Sequence, residues 1–393
     1  MLSFTSRKDT NAEKYTLRKQ LFGTEDVEPL WVADMDIDTP NFVIEDIKKR
    51  LQHPVFGYEE VPNSAYEAQI DWINRHHGIK FELKDMLYSH SVVASMNAVI
   101  EAFSKVGDKI IVQTPVYPPF FHSVLKHDRK LLKNPLKKDK NGRYSFDMDD
   151  LKSKIDKDTK LLLLCSPHNP VGRVWSRTEL EEILEVCLEN DILVFSDEIH
   201  CDLVYQPNKH IPFASLSKKA KEITITAMGV GKTFNMAGFA MSSIIISDDK
   251  LREKFLQTYH KIHFAEGSSL SHIAFKSAYK NGDSWLQELQ QHLYNNYMLL
   301  KSFCNKYDGL IKITPIEATY LAWLDCSGMG LSDRELRKFF IEEAKLGLNA
   351  GLSFSREGSG FMRLNFAISL DKMLKVIKQL ENAFEERFCT EIQ

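Results

Sequence analysis

The chain lacks a long hydrophobic run, a strong charge bias and any low-complexity stretch. Its apolar runs, such as 161–165 and 244–246, are far too short to span a bilayer. A formal net charge of −3 leaves no basic stripe that would bind nucleic acid. The first eight residues lack the apolar core of a signal peptide. We therefore expect a cytoplasmic protein that binds neither membranes nor nucleic acids.

Cysteine is sparse, with six residues in 393 and no C-x-x-C pair. Scattered thiols in a long chain are typical of a reducing compartment. Potential metal ligands do cluster between positions 197 and 202, at Asp197, Glu198, His200, Cys201 and Asp202. Their spacing matches neither H-E-x-x-H nor C-x-x-C, so we expect no metal site.

Strand-like apolar runs alternate with helical patterns through the middle of the chain. Apolar residues recur at helical spacing over 92–105, and Ser176 stands three residues before Glu179, as in a helix-capping box over 178–189. This alternation predicts an α/β fold with a large, mostly parallel sheet flanked by helices, and after residue 285 the pattern predicts a smaller α+β domain. The predicted divisions are an N-terminal segment (1–45) packing with the small domain, a large domain (46–285) and a small C-terminal domain (286–393).

Four of the predicted strands end in polar clusters. The runs are 110–113 before Tyr117, 160–165 before Asn169, 191–195 before Asp197 and 223–227 before Lys232. In open α/β sheets, ligands bind beyond the carboxyl ends of the strands. The four clusters are therefore expected to converge on one site.

Lys232 has two other interpretations. Gly231-Lys232-Thr233 resembles the end of a phosphate-binding P-loop, but that motif also needs a glycine where Thr226 stands. The residues after Lys232 favour a turn over the regular helix that a P-loop opens. An exposed lysine in a surface turn would explain Lys232 alone, and not the other three clusters.

Pyridoxal phosphate chemistry explains the four clusters together. It needs a lysine amine whose pKa is lowered, and Lys232 is the candidate. It also needs a buried carboxylate that keeps the ring nitrogen protonated, for which Asp197 is suited. Tyr117 can cover the ring face and Asn169 can hydrogen-bond the 3-hydroxyl. Taken singly, Tyr117 could be a turn aromatic, Asp197 a helix cap and Arg363 a solvent-facing strand residue.

Six segments taken in order resemble the fold-type I, class I/II aminotransferase superfamily, and within it the MalY/PatB-like cystathionine β-lyase group. The segments are Trp31–Asp36, Pro115–Phe120, Ser166–Arg173, Ser196–Leu203, Lys232–Gly238, and Asn349–Leu352 with Phe361–Asn365. Two departures from the aminotransferase pattern, Ala240 in place of a phosphate-binding arginine and His200 in place of a tyrosine, favour the lyase group.

The resemblance implies a role for each matching residue. Lys232 would hold the cofactor and move the α-proton, Asp197 would pair with the ring nitrogen, Asn169 would bond the 3-oxygen, and Tyr117 would stack on the ring. His200 would also contact the cofactor.

The remaining roles concern the phosphate, the substrate and a second subunit. Val92 and Val93 would present backbone N–H groups to the phosphate. Arg363 would grip the substrate carboxylate through a two-point fork, with Ala33, Tyr117 and Asn169 nearby. Tyr58 would reach the site of the other subunit, which implies a homodimer with shared active sites.

The implied activity is β-elimination from cystathionine- or cysteine-type amino acids, giving a thiol, pyruvate and ammonia. Two alternatives stay open at this point. An aminotransferase uses the same lysine, aspartate and arginine, and a regulator could retain the lyase fold without turnover.

Overall fold

A seven-stranded sheet forms the centre of the protein in the computed structural model, which describes residues 2–261 and 267–389. Across the sheet the strands run in the order Met86–Ser89, Ser242–Ile246, Thr224–Gly229, Leu193–Asp197, Thr159–Cys165, Lys109–Thr114 and Lys130–Pro135. Ser242–Ile246 is antiparallel to both of its neighbours, and the other neighbouring pairs are parallel. This confirms the predicted α/β class with a mostly parallel sheet.

The central strands are buried on both faces, which explains their nearly continuous apolar sequences. Helices cover the sheet and connect its strands. Their bounds, in chain order, are Glu13–Thr16, Arg18–Phe22, Asn41–Leu51, Asn63–His77, Val92–Phe103, Pro119–Lys126, Met148–Lys154, Arg177–Glu189, Lys218–Ile223, Val230–Thr233, Asp249–Lys261, Ser269–Asn281, Asp283–Lys306, Asp333–Lys338 and Leu370–Phe384. None of the helices among these residues is both long and apolar enough to cross a membrane.

A second, smaller sheet lies in the C-terminal part of the chain. It is antiparallel, with the order Lys312–Ile313, Leu321–Asp325, Phe361–Asn365 and Asn349–Ala350. Arg363 lies in the third of these strands, directly opposite Trp323 and Asn349. The small sheet therefore fixes the position of Arg363 by strand register.

The N-terminal segment joins the C-terminal part of the chain. Glu28–Pro29 pairs in parallel with Leu346–Gly347. The Asp36 carboxylate lies between two ammonium groups, 2.6 Å from Lys14 Nζ and 2.8 Å from Lys372 Nζ. Burial opposes ionisation of Asp36, but the two cations outweigh it, so its pKa lies below the ordinary value. The domain boundaries at residues 45 and 285 stay predictions.

One local prediction needs correction. The strand predicted over 191–195 instead spans Leu193–Asp197, because Asp191 adopts a left-handed φ of 52° and turns the chain before the strand begins. The helix Asp333–Lys338 of the small domain continues with π-helical hydrogen bonding at Phe339–Glu343. Lys232 lies in a single helical turn, Val230–Thr233, and the left-handed Asn235 follows in place of the regular helix of a P-loop, as expected. The capping box at Ser176 and Glu179 is confirmed, with both reciprocal hydrogen bonds present.

Candidate active site

The strand ends that carry the predicted residues are neighbours in the sheet. Cys165 pairs with Asp197, and Asp197 pairs with Ala227 of the next strand. A cavity opens at this edge of the sheet. Eight of the predicted residues line it: Ala33, Val92, Val93, Tyr117, Asn169, Asp197, His200 and Lys232.

Lys232 extends from the helical turn that follows the strand Thr224–Gly229. Its ε-ammonium donates a hydrogen bond of 2.6 Å to the Ala33 carbonyl, which also accepts one of 2.9 Å from the Tyr320 hydroxyl. Burial, together with the positive charge of Arg363, lowers the pKa of Lys232 to about 8. A substantial fraction of the amine is therefore neutral near physiological pH, as a nucleophile or base requires.

Asp197 ends its strand at the base of the cavity. Burial raises the pKa of Asp197 to about 7, although the backbone N–H of Ile199, 3.1 Å from Oδ1, and the charge of Lys232 both favour the carboxylate. The two groups that favour the charged form of Asp197 do not offset the effect of burial, so a cation placed against this carboxylate stabilises it. The protonated ring nitrogen of pyridoxal phosphate is such a cation.

Arg363 reaches the site from the small sheet. Its Nη1 donates to Asn169 Oδ1 at 3.0 Å, and its Nη2 donates to Asn349 Oδ1 at 2.7 Å and to the Trp31 carbonyl at 2.8 Å. No carboxylate of the described residues is bonded to it, and its buried Nε has no partner there. Burial lowers the pKa of Arg363 to about 10, which still leaves it cationic at neutral pH. A buried guanidinium held only by neutral acceptors suits an incoming carboxylate.

His200 is a buried imidazole in the cavity wall. Its Nδ1 has no hydrogen-bond partner among the described residues. Burial, reinforced by the charges of Lys232 and Arg363, lowers the pKa of His200 to about 3, so the ring is neutral. A neutral imidazole can accept or donate a hydrogen bond without adding a third positive charge to the site.

The helix Val92–Phe103 begins at the cavity. Ser91 caps it, with its hydroxyl accepting from the N–H of Ala94. The N–H groups of Val92 and Val93 have no partner within the helix, because the first turn of any helix leaves its donors free. This helix end is suited to an anion, and a phosphate is one.

The Tyr117 side chain, partly exposed, borders the opening of the cavity, and its backbone N–H donates to the Asn169 carbonyl at 3.2 Å. Tyr58 does not join the cavity. It is fully exposed in the stretch 54–62, which has no regular secondary structure. The structure therefore brings together every predicted site residue except Tyr58.

A possible metal-ligand group lies behind the cavity, where His77, Cys201 and Asp202 place their ligand atoms within 4.8 Å of one another. Both carboxylate oxygens of Asp202 are already engaged. Oδ1 accepts from Trp72 and contacts His77, and Oδ2 accepts from Thr233. These bonds explain the buried Asp202 structurally, and we propose no metal function.

Sequence reasoning missed the groups that hold the two cations. The Trp31 carbonyl and the Asn349 amide oxygen accept from Arg363, and the Tyr320 hydroxyl donates to the Ala33 carbonyl. Ala33 was predicted next to the substrate carboxylate, but not as the acceptor of the Lys232 hydrogen bond. Backbone carbonyls carry no sequence signal. Asn349 lies in one of the segments that resemble the family, but its sequence surroundings do not indicate a contact with Arg363.

The residues fit pyridoxal phosphate, since a buried amine, an under-compensated carboxylate, an unpartnered imidazole nitrogen and a free helix N-terminus share one cavity. Each corresponds to a different group of the cofactor: the aldehyde, the ring nitrogen, the polar ring substituents and the phosphate.

Comparison with known proteins gives a consistent result. The sequence model of the family described as "Aminotransferase class I and II" matches residues 25–380. The cystathionine beta-lyase PatB of Bacillus subtilis is 38% identical over 97% of this chain and 100% of its own length. Protein MalY of Escherichia coli is 31% identical over 92% of this chain and 93% of its own.

Solved structures agree with these relatives. Cystalysin from Treponema denticola, whose crystal structure contains a pyridoxal 5'-phosphate cofactor, is similar with a TM-score of 0.94 and 32% identity, covering 98% of both chains. The pyridoxal-phosphate-bound C–S lyase from Staphylococcus hominis is similar with a TM-score of 0.88 and 33% identity, covering 97% of both chains.

Proposed function

This chain belongs to the aminotransferase class I and II family, and on that basis we propose that it is a pyridoxal-phosphate-dependent carbon–sulfur β-lyase. Its substrates would be cystathionine- or cysteine-type amino acids, and its products a thiol, pyruvate and ammonia. The observation that carries the proposal is the convergence of Lys232 and Asp197 in one cavity, in a chain similar over nearly its full length to named lyases. The cytoplasmic location stays a prediction from the sequence.

Lys232 and Asp197 would do the central work. The ε-amine of Lys232 would hold the cofactor covalently and, once released by the incoming substrate, would accept the proton from the substrate's α-carbon. Its lowered pKa supports both tasks. Asp197 would keep a proton on the ring nitrogen, which its buried carboxylate favours. When bound, the cofactor supplies an electron sink for the charge that develops at the α-carbon.

Other residues would position the two ligands. Tyr117 would cover the ring, Asn169 and His200 would bond its polar substituents, and Val92 and Val93 would bind the phosphate through their N–H groups. Their places on the cavity wall support these roles.

The substrate carboxylate would bind Arg363, next to Asn169 and the segment that contains Ala33. The planar guanidinium already donates to three neutral acceptors, so a carboxylate can replace weaker partners with charged, parallel hydrogen bonds. This places the amino acid's α-carbon on the side of the cavity where Lys232 lies.

Elimination then breaks the Cβ–S bond. The α-proton passes to Lys232 Nζ, the electrons of the Cα–H bond form the Cα=Cβ double bond, and the sulfur leaves as a thiolate. A thiol pKa of about 8.5 makes this a good leaving group near neutral pH. The unsaturated amino acid that remains is hydrolysed to pyruvate and ammonia.

An aminotransferase remains the rival function, because it would use the same Lys232, Asp197 and Arg363. Ala240 and His200, which replace an arginine and a tyrosine of many aminotransferases, favour the lyase.

A product assay separates the two functions. The purified holoenzyme is incubated with L-cystathionine, with and without an added keto acid, and pyruvate and free thiol are measured. A lyase releases both in equal amounts without the keto acid. Formation of the amino acid that corresponds to the added keto acid, without free thiol, would indicate an aminotransferase, and no product in either sample would indicate a regulator.

Arg363→Lys is expected to weaken amino-acid binding. A point charge cannot reproduce two parallel hydrogen bonds, and losing one charged bond costs about 1.5–3 kcal/mol, so kcat/KM should fall roughly tenfold to a hundredfold. Arg356→Lys, at an exposed arginine of the same part of the chain, is the matched control and should change little. An unchanged kcat/KM in Arg363→Lys would place the carboxylate site elsewhere.

We also propose that the working unit is a homodimer in which Tyr58 completes the partner's site. Val55, Phe56 and Tyr58 expose their side chains in one short segment. Arg50 supports this segment, bonding the carbonyls of His53 and Val55 and lying 5.2 Å from the Phe56 ring. Apolar side chains that are held outward in this way are typical of an interaction surface.

A complementation experiment tests the shared site. Inactive Lys232→Ala is mixed with inactive Tyr58→Ala under conditions of subunit exchange. A mixed dimer carries both lesions in one site and leaves the other intact, so activity should return to about a quarter of the wild-type level, since about half of the dimers are mixed.

The control mixes Lys232→Ala with Asp197→Ala. Both residues line the cavity of one chain, so no mixed dimer contains an intact site, and activity should stay absent. Equal behaviour of the two mixtures, with exchange demonstrated, would place Tyr58 in the site of its own subunit.

A further inference from the structure

Residues 31–37, here called the strap, cross the site without regular secondary structure. The strap carbonyls are bonded by side chains from distant parts of the chain. Arg363 donates to the carbonyl of Trp31, and Lys232 and Tyr320 donate to that of Ala33. Lys232 and Arg363 therefore both donate hydrogen bonds to the same short segment of backbone.

Two asparagines hold four more of the strap carbonyls. Asn365 Nδ2 donates to the carbonyls of Val32 and Asp34 at 2.7 and 2.6 Å. Asn235 Nδ2 donates to those of Met35 and Ile37 at 3.0 and 2.6 Å, and its Oδ1 accepts from the Met35 N–H at 2.9 Å. Asn365 thus binds the strap on both sides of Ala33, the residue that contacts Lys232, and Asn235 binds the part of the strap that follows.

Each asparagine lies two or three residues after one of the two cations in the chain. Asn365 lies two residues after Arg363 in the same strand, so both side chains project from the same face. Asn235 lies three residues after Lys232, where a left-handed φ of 55° turns its side chain back to the strap. Asparagine tolerates this conformation better than most residues. The small sheet and the segment that follows the strand Thr224–Gly229 therefore each supply one cation and one amide to the strap.

We propose that Asn235 and Asn365 are positioning residues, which hold the strap and so fix the distance between Lys232 and Arg363. This rests on the proposed function, because that distance matters only if Lys232 acts on a substrate whose carboxylate Arg363 binds. Both cations are buried, and their mutual repulsion favours separation. The carbonyls of Trp31 and Ala33, which have one residue between them, oppose that separation. The first accepts a hydrogen bond from Arg363 and the second accepts one from Lys232.

Substitution of each asparagine by aspartate removes the Nδ2 donor and keeps the accepting oxygen. Asn365→Asp keeps the oxygen that accepts from the Ala367 N–H, and Asn235→Asp keeps the oxygen that accepts from the Met35 N–H. Each change removes the two Nδ2 bonds and sets an oxygen against strap carbonyls. Aspartate also tolerates the left-handed backbone at position 235.

The expected result is a rise in KM of about threefold to thirtyfold in each variant, with a smaller change in kcat. Affinity for L-alanine, which has no sulfur to eliminate, should weaken in parallel when measured by the change in the holoenzyme's visible absorbance. The double variant should be less impaired than the product of the two single effects, because both lesions release the same strap.

Asn296→Asp is the matched control. Asn296 is buried, and its Nδ2 also donates to two carbonyls, those of Phe366 and Ile368, but it does not touch the strap. It should lower the melting temperature and leave KM unchanged. The same rise in KM in the control, an unchanged KM in both strap variants, or fully multiplicative effects would overturn the proposal.

Arg7→Ala provides a second approach if the aspartate variants do not fold. Arg7 is partly exposed, pairs with Asp34 at 2.7 Å and donates to the Met35 carbonyl, so its loss loosens the strap from outside. We expect a rise in KM of about twofold to fivefold, and an unchanged KM would overturn the proposal. Alanine binding also distinguishes failure of the lyase function from failure of the strap proposal. A wild-type enzyme that binds L-alanine but releases no thiol from L-cystathionine would contradict the lyase function, and the effect of the strap variants on alanine binding could still be measured.

Discussion

Lys232→Ala should abolish elimination, with kcat reduced by at least about 10²–10⁴-fold, the usual contribution of a positioned general base. The loss should exceed this range, because the same amine is also proposed to hold the cofactor. The variant should still bind pyridoxal phosphate non-covalently, since the other cavity groups remain. Pyruvate release from L-cystathionine measures the first effect, and dialysis followed by absorbance measures the second.

Lys218→Ala is the control for this prediction. Lys218 lies on the surface with its side chain 91% exposed, so its removal should leave kcat unchanged. Turnover by Lys232→Ala within tenfold of the wild type would show that another group moves the α-proton.

Asp197→Asn should lower kcat by about 10²–10³-fold, the usual cost of removing one electrostatic group that stabilises a transition state. Asparagine keeps an oxygen to accept from the Ile199 N–H, so the fold should survive. It cannot keep a proton on the ring nitrogen, and that proton matters most when charge develops at the α-carbon. Cofactor affinity should therefore fall much less than kcat.

Glu198→Gln tests whether a neighbouring buried carboxylate has the same effect. Glu198 bonds Ser196, His210 and the N–H of Phe213, and it does not line the cavity. Its loss should lower the melting temperature, with near-normal kcat for the folded protein. Near-normal turnover in Asp197→Asn would mean that another group protonates the ring.

The architecture could be predicted because the local signals agreed with the global fold. Continuous apolar strands such as Thr159–Cys165 and the capping box at Ser176 both indicated strand–helix units. The antiparallel strand Ser242–Ile246 could not be recognised in this way. Its five buried residues look like those of the parallel strands, and its direction depends on the path of the chain after Lys232.

The core of the site could also be predicted, since parallel strands bring their carboxyl ends to one edge. This rule predicts that Asn169, Asp197 and Lys232 lie together, and all three line the cavity. Arg363 came from the family resemblance, because an alternating strand pattern does not say which face is buried.

The strap and the exposed Tyr58 mark the limits of sequence reasoning. Carbonyl groups are present in every residue, so nothing in Trp31–Ile37 predicts that Lys232 and Arg363 will bond there. The Tyr58 side chain is fully exposed on the described part of the chain, and its role stays a prediction until the dimer is tested.

The attachment of the cofactor to Lys232 is the central claim, and borohydride reduction tests it most directly. Reduction makes the link between the cofactor and its lysine irreversible, and peptide mass spectrometry then locates the added mass. We predict that the label lies on the peptide containing Lys232, at one per chain, and that L-cystathionine added before reduction decreases it. A label on another lysine, or none on a protein that holds the cofactor, would contradict the account.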